Sequence, residues 1–153
     1  MAQLSDGRLV MMTRPEGDTT WSEDGGKTWT EPVTFGMRMF DPNLITLRDG
    51  TLLCLHGSYG AGGVRAIFSR DGGKTWIAPA ADHGFIVDDS TYGCVRGIEL
   101  PDGSVFAVYI NTGGHAVRDA QTERIWCIRL RVRPDHSGID LLPAPGLRHE
   151  KIE

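Results

Sequence analysis

Residues able to do chemistry recur in four short stretches of the chain: Arg38, Met39, Phe40 and Asp41; His56, Ser58, Tyr59 and Arg65; Asp88, Asp89, Thr91, Tyr92 and Arg96; and Asn111, His115, Arg118 and Arg124. A guanidinium fork binds a carboxylate through paired hydrogen bonds, Asp, Asn and His bind hydroxyls, and a tyrosine can stack on a ring or act as a nucleophile. These are the types that a carboxylated sugar needs. Arg38, Asp41, His56, Tyr59, Arg65, Arg96 and His115 are the candidates for binding. The same residues also fit a polar rim that is simply solvated, and the sequence leaves both readings open.

Other chemistries find no support. Gly25-Gly26-Lys27-Thr28 imitates the end of a phosphate loop, but the glycine required five positions before Gly26 is Trp21, and Phe68 stands in that place in the second copy of the stretch. The carboxylate spacing fits no calcium loop, and the cysteines Cys54, Cys94 and Cys127 lack a zinc-ligand spacing. Neither a metal nor another cofactor is expected. Each cysteine lies in an apolar, strand-like run and reads as a buried thiol. A net charge of −4 with scattered Lys and Arg excludes the basic stripe that nucleic acid requires. No segment has the length and apolarity of a membrane span, and Met1–Asp6 carries no leader pattern, so the expectation is a soluble chain, cytoplasmic by default.

The elements that must position these residues are strands joined by two interleaved repeats. Ser22-Glu23-Asp24-Gly25-Gly26-Lys27-Thr28-Trp29 returns as Ser69-Arg70-Asp71-Gly72-Gly73-Lys74-Thr75-Trp76, 47 residues later. Ser and Asp side chains can accept backbone N–H groups, the glycine pair permits positive φ, and Thr-Trp resumes a strand. Asp-Gly between apolar runs occurs at Asp6-Gly7, Asp49-Gly50 and Asp102-Gly103, spaced by 43 and 53 residues, and reads as a type I′ hairpin turn.

This spacing is that of a four-stranded propeller blade. No apolar stretch has helical periodicity, so the fold class is all-β, with about three antiparallel blades: a partial blade over 1–35, blades over 36–86 and 87–145, and a tail over 146–153. The second blade reads as strands at Asn43–Leu47, Thr51–His56, Val64–Ser69 and Trp76–Ala78. The third reads as Cys94–Leu100, Ser104–Asn111, Arg124–Arg133 and a strand near Ile139–Leu142. The turn Arg133–Gly138 keeps an Asp without the Thr-Trp and reads as a degenerate copy of the longer repeat.

Ser-x-Asp-x-Gly-x-Thr-Trp resembles the Asp-box, or bacterial neuraminidase repeat, of sialidase-like β-propellers. Its positions here are Ser22, Asp24, Gly26, Thr28 and Trp29, and Ser69, Asp71, Gly73, Thr75 and Trp76. In that family the boxes join the third and fourth strands of a blade on the face away from the active site. The resemblance therefore puts function on the opposite rim, among the four stretches named first. It also implies arginines clamping a substrate carboxylate, a tyrosine nucleophile activated by a glutamate, and an aspartate acid/base in an early blade. Tyr92-Gly93-Cys94, followed by Gly97-Ile98-Glu99-Leu100-Pro101-Asp102-Gly103, resembles the last catalytic segment and makes Tyr92 the candidate nucleophile. An aromatic lining the channel is the other reading of Tyr92. Arg65 leads the strand before a box, where the family often places a clamp arginine, with Arg96 and Arg38 behind it. No Glu can be assigned as the activator of Tyr92.

The function implied is that of an exo-acting sialidase-like glycoside hydrolase with a retaining mechanism; the alternative is a non-catalytic propeller that binds a glycan or another acidic small molecule. Six blades close such a propeller, so a half-propeller implies a homodimer or a fragment of a longer propeller.

Overall fold

The computed structural model describes residues 1–79, 83–89, 94–110 and 125–143. Among them are three four-stranded antiparallel sheets and no helix. The first sheet comprises β1 (Ala2–Gln3), β2 (Leu9–Thr13), β3 (Asp18–Ser22) and β4 (Val33–Thr34), each strand beside the next in the chain. The second comprises β5 (Met39–Thr46), β6 (Leu52–Ser58), β7 (Val64–Ser69) and β8 (Phe85–Asp88), and the third β9 (Val95–Glu99), β10 (Val105–Ile110), β11 (Ile125–Val132) and β12 (Ile139–Leu142).

The second sheet is covered on both faces, which explains why Leu52–Leu55 is an unbroken apolar run. Side chains alternate across a strand. Leu52, Cys54 and Ile67 meet Leu4, Val10 and Met12 of the first sheet's side. Leu53, Leu55, Ala66 and Phe68 meet Val95, Val105, Ala107 and Leu130 of the third. The outward face of the third sheet is different: Ile98 is 63% exposed and Ile125 77%, with Val108 and Ile110 also exposed beside them. Cys127, opposite Val108, lies on this face. Cys94 enters β9 at a strand end. Both thiols are therefore exposed, and of the three cysteines expected to be buried only Cys54 is.

The Asp-Gly turns connect first to second strands, as expected, but with different geometry. Gly7, Gly50 and Gly103 have φ of 89°, 86° and 77°, while the aspartates before them stay at negative φ. Each loop has three residues: Leu4, Leu47 and Leu100 donate N–H to the carbonyls of Arg8, Thr51 and Ser104, and each glycine donates back to its leucine. This is a type I turn closed by a left-handed glycine, not type I′. The aspartates avoid positive φ because their carboxylates instead accept the N–H two residues on, from Arg8 (3.1 Å), Thr51 (2.9 Å) and Ser104 (3.1 Å).

The two longer repeats fold alike between third and fourth strands. Ser22 Oγ accepts Gly26 N–H at 2.8 Å, and Asp24 accepts Thr28 through both its N–H (2.9 Å) and its hydroxyl (2.7 Å). Ser69, Gly73, Asp71 and Thr75 reproduce those contacts at 2.8, 2.9 and 2.7 Å. The Thr28 hydroxyl, with the Thr28 N–H and the Ser22 hydroxyl, pulls the Asp24 carboxyl down to about 2. The Trp21 indole donates to the Gly72 carbonyl at 2.7 Å, so β3 of the first sheet is tied to the longer loop of the second. In the turn at Arg133–Gly138, Asp135 clasps only Ser137, through its N–H (3.0 Å) and hydroxyl (2.8 Å).

One strand lies elsewhere than expected. Trp76–Ala78 contributes a single bridge, Ile77 to Phe68, and the outer strand of the second sheet is β8. Phe85 supplies the reason: its ring stacks on Phe68 with centroids 5.4 Å apart and planes at 8°.

Candidate functional site

In an up-and-down sheet the ends of first and third strands share one rim. The Asp-Gly turns and the two longer loops occupy it, and the opposite rim carries β2–β3, β6–β7 and the entries to β5 and β9. Among the described residues, those singled out from the sequence that fall near this opposite rim form three groups.

The first is aromatic and cationic. Tyr59 N–H donates to the Arg38 carbonyl at 3.4 Å, the Arg38 guanidinium lies 5.6 Å from the Tyr59 ring centroid, and Phe40 packs against Tyr59 at 5.1 Å. Gly57 makes room: a Cβ there would run into the Phe40 ring. Arg38 also reaches Glu16 at 3.4 Å.

The second is the cross-strand pair His56 and Arg65. His56 is fully buried on β6, its Nδ1 lies 3.0 Å from the Gly57 carbonyl, and its Nε2 has no partner among the described residues. Burial lowers its pKa from 6.5 to about 4. Arg65 is 4% exposed and donates Nε–H to the Gly62 carbonyl at 3.2 Å. Among the described residues no carboxylate pairs with it.

The third group draws on all three sheets. Asp41, at φ 47°, accepts the Cys94 thiol at 2.6 Å, and Arg14 stands 3.8 Å from its other oxygen. Arg96 donates to the carbonyls of Val95 (2.6 Å) and Asp41 (3.4 Å). The hydrogen bond from Cys94 to Asp41, then burial, raises the thiol's pKa. Further out, Asp88 accepts the Tyr109 hydroxyl at 2.7 Å, and burial with this carboxylate raises the tyrosine's pKa.

No family model matches the chain and no curated protein matches it. Solved structures do. One is the NanB sialidase from Streptococcus pneumoniae in complex with an ethanesulfonate derivative, at 20% identity and a TM-score of 0.55 over 91% of this chain. Another is NanB with Optactamide, at 20% identity and a TM-score of 0.55 over 92%. The fold is sialidase-like. The chain spans 22% of the length of each of those chains, so the likeness covers a part of a larger protein.

On this sialidase-like scaffold the structure brings Arg38 to Tyr59, His56 to Arg65, and Asp41 to Arg96. Tyr92 and His115 lie outside the described residues, as do Thr91, Asn111, Arg118 and Arg124. Sequence reasoning missed Arg14 and Glu16, although the hairpin logic that placed the other loops also puts Arg14-Pro15-Glu16-Gly17 on this rim. It missed His83 and Gly84 as well. They precede β8, and no local pattern marked that strand.

Proposed function

We propose that the chain is a propeller module of a sialidase-like glycoside hydrolase that holds a terminal acidic sugar at the rim. Arg65 carries this reading. Arg65 is 4% exposed and has no carboxylate partner among the described residues; a cation so placed is costly to the fold unless an anion meets it, and a carboxylated ligand does so with paired hydrogen bonds. NanB, with the same kind of fold, was crystallised with an ethanesulfonate, itself an anion. Arg96 and Arg38 assist on the same rim, and Tyr92 is the nucleophile of a retaining mechanism, forming a covalent glycosyl intermediate that water then hydrolyses.

Arg65→Ala is expected to weaken binding of an acidic glycoside by about 30-fold or more, since truncating one side of a buried charged hydrogen-bonded pair costs about 2–5 kcal/mol. Calorimetric titration reads it. Tyr92→Phe should abolish turnover and leave that affinity within a few-fold. A parent protein that binds but never turns over would remove the hydrolase and leave the second reading, a glycan-binding propeller. That reading is favoured by two described rim carboxylates already being engaged: Asp41 by Cys94 and Arg14, and Asp88 by Tyr109.

The outward apolar face of the third sheet calls for cover, and a second copy closing six blades about a two-fold axis supplies it. Light scattering is expected to give a mass of about twice 16.8 kDa, falling to the single value in an Ile98→Asp, Val108→Asp variant. A well-folded monomer in the parent would mean that this face belongs against further blades of a longer chain.

A further inference from the structure

Beside each Asp-Gly turn, the leucine that opens the turn, a residue of the second strand and its partner on the third form a corner. In the first sheet these are Leu4, Val10 and, opposite Val10, Trp21. The glycine pair of the second sheet's longer loop sits in that corner. Trp21 donates to the Gly72 carbonyl at 2.7 Å, a Cβ on Gly72 would stand 2.9 Å from Leu4 Cδ1, and one on Gly73 3.4 Å from Val10 Cγ2. The second sheet's corner is Leu47, Leu53 and Phe68, and the β11–β12 turn fills it with the His136 ring, 5.9 Å from Phe68. His136 follows Asp135 as Gly72 follows Asp71, and both have positive φ, 57° and 71°. The loop leaving a third strand thus seats in the corner of the sheet before it.

The third sheet repeats the corner as Leu100, Phe106 and Arg129, which with Pro101 and Asp102 line an open cavity of about 410 Å³. Leu4, Val10, Leu47 and Leu53 are buried, whereas Leu100 and Phe106 are only half-buried. At the other end of the row of sheets, the first sheet's longer loop is bare on the matching side. A Cβ on Gly26 would meet Leu9 of its own sheet at 3.5 Å, as one on Gly73 would meet Leu52 at 3.4 Å. One on Gly25 would meet nothing within 4 Å among the described residues. Gly25 is exposed, and its φ of 73° matches that of Gly72. The charges agree: Arg129 and Arg131 share Asp102 beside the cavity, and the loop carries Glu23 and Asp24 ahead of its glycines.

Resting on the two-copy reading above, we propose that this cavity is the socket for the Ser22–Trp29 loop of a second copy. Gly25 seats against Leu100 and Phe106, and Arg129 donates to its carbonyl where Trp21 donates to that of Gly72. Loop and socket stand at opposite ends of the row, so each copy gives its loop and receives the other's. Two identical seams close the pair.

The test pairs a loop variant with a socket variant of the full chain and follows dimerisation by sedimentation. Gly25→Arg meets open space in the isolated loop but sets bulk and a cation against Arg129; Phe106→Asp spoils the socket. Each alone is expected to raise the dimer Kd by about a hundred-fold or more, because each damages both seams. An equimolar mixture should associate more tightly than either, since the mixed pair keeps one undamaged seam, from the loop of the socket variant to the socket of the loop variant. Should Gly25→Arg fail to fold, Gly25→Asn, which suits positive φ, takes its place. Dilution of the parent needs no variant: the amide resonances of Gly25, Gly26 and Phe106 should shift as the dimer dissociates. A parent dimer that both variants leave intact, a mixture no tighter than its components, or Gly25 and Phe106 resonances unmoved by dissociation overturns the socket and leaves the two-copy reading standing on another contact. A parent that stays monomeric overturns both.

Discussion

Replacing Phe68 by alanine is expected to lower the unfolding free energy by about 3–5 kcal/mol, the cost of a large cavity where neighbours cannot collapse. The position justifies the upper part of that range. Phe68 is fully buried on β7, stacks on Phe85 of β8, tilts against His136 at 5.9 Å, and bridges to Ile77 through its backbone. His136 belongs to the β11–β12 turn, and its Nε2 lies 3.2 Å from the Thr51 hydroxyl at the entry to β6. Losing the ring therefore loosens the outer strand of the second sheet and the seam to the third together. Urea unfolding should show a lower midpoint with an unchanged slope. Phe68→Leu, which refills part of the volume, should cost less than half as much. A Phe68→Ala cost below about 1 kcal/mol, the centre of the distribution for ordinary substitutions, would mean that the third sheet does not depend on this contact.

The same residue shows what the sequence could and could not reveal. Strands β6, β7 and β12 and the three Asp-Gly turns were legible because their causes are local: apolar runs, a carboxylate reaching two residues ahead, a glycine at positive φ. Even there the turn type was misjudged, because the aspartate's hydrogen bond holds it at negative φ and hands the positive φ to the glycine alone. The outer strand β8 was not legible. Its cause is the stacking of Phe85 on Phe68, a contact across many residues, whereas Trp76–Ala78 merely looked like a strand. The site divides in the same way. Arg65 could be placed on the rim from its position at the head of a strand, but its pairing with His56 depends on the register of β6 against β7. The tie between Asp41 and Cys94 depends on two sheets meeting.

Acidification is expected to test that register through His56. Burial, with the charges of Arg65 and His83 adding to it and the Gly57 carbonyl opposing, lowers the imidazole pKa from 6.5 to about 4. The unfolded chain takes up its proton near 6.5, the folded chain only near 4. Between those values the unfolded state binds more protons, so stability rises with pH across that window; the contribution is complete above about 6.5 and is lost as pH falls toward 4. At 1.36 kcal/mol for each unit of displacement it amounts to about 3 kcal/mol. Asp24 acts in a lower window, because its depressed carboxyl gives up stabilisation only as pH falls from 3.8 through about 2. Urea midpoints between pH 7 and pH 4.5 should therefore fall steeply in the parent and much less in His56→Gln, with the two curves converging at the acid end. Parallel curves would place the proton uptake elsewhere and leave His56 accessible to water.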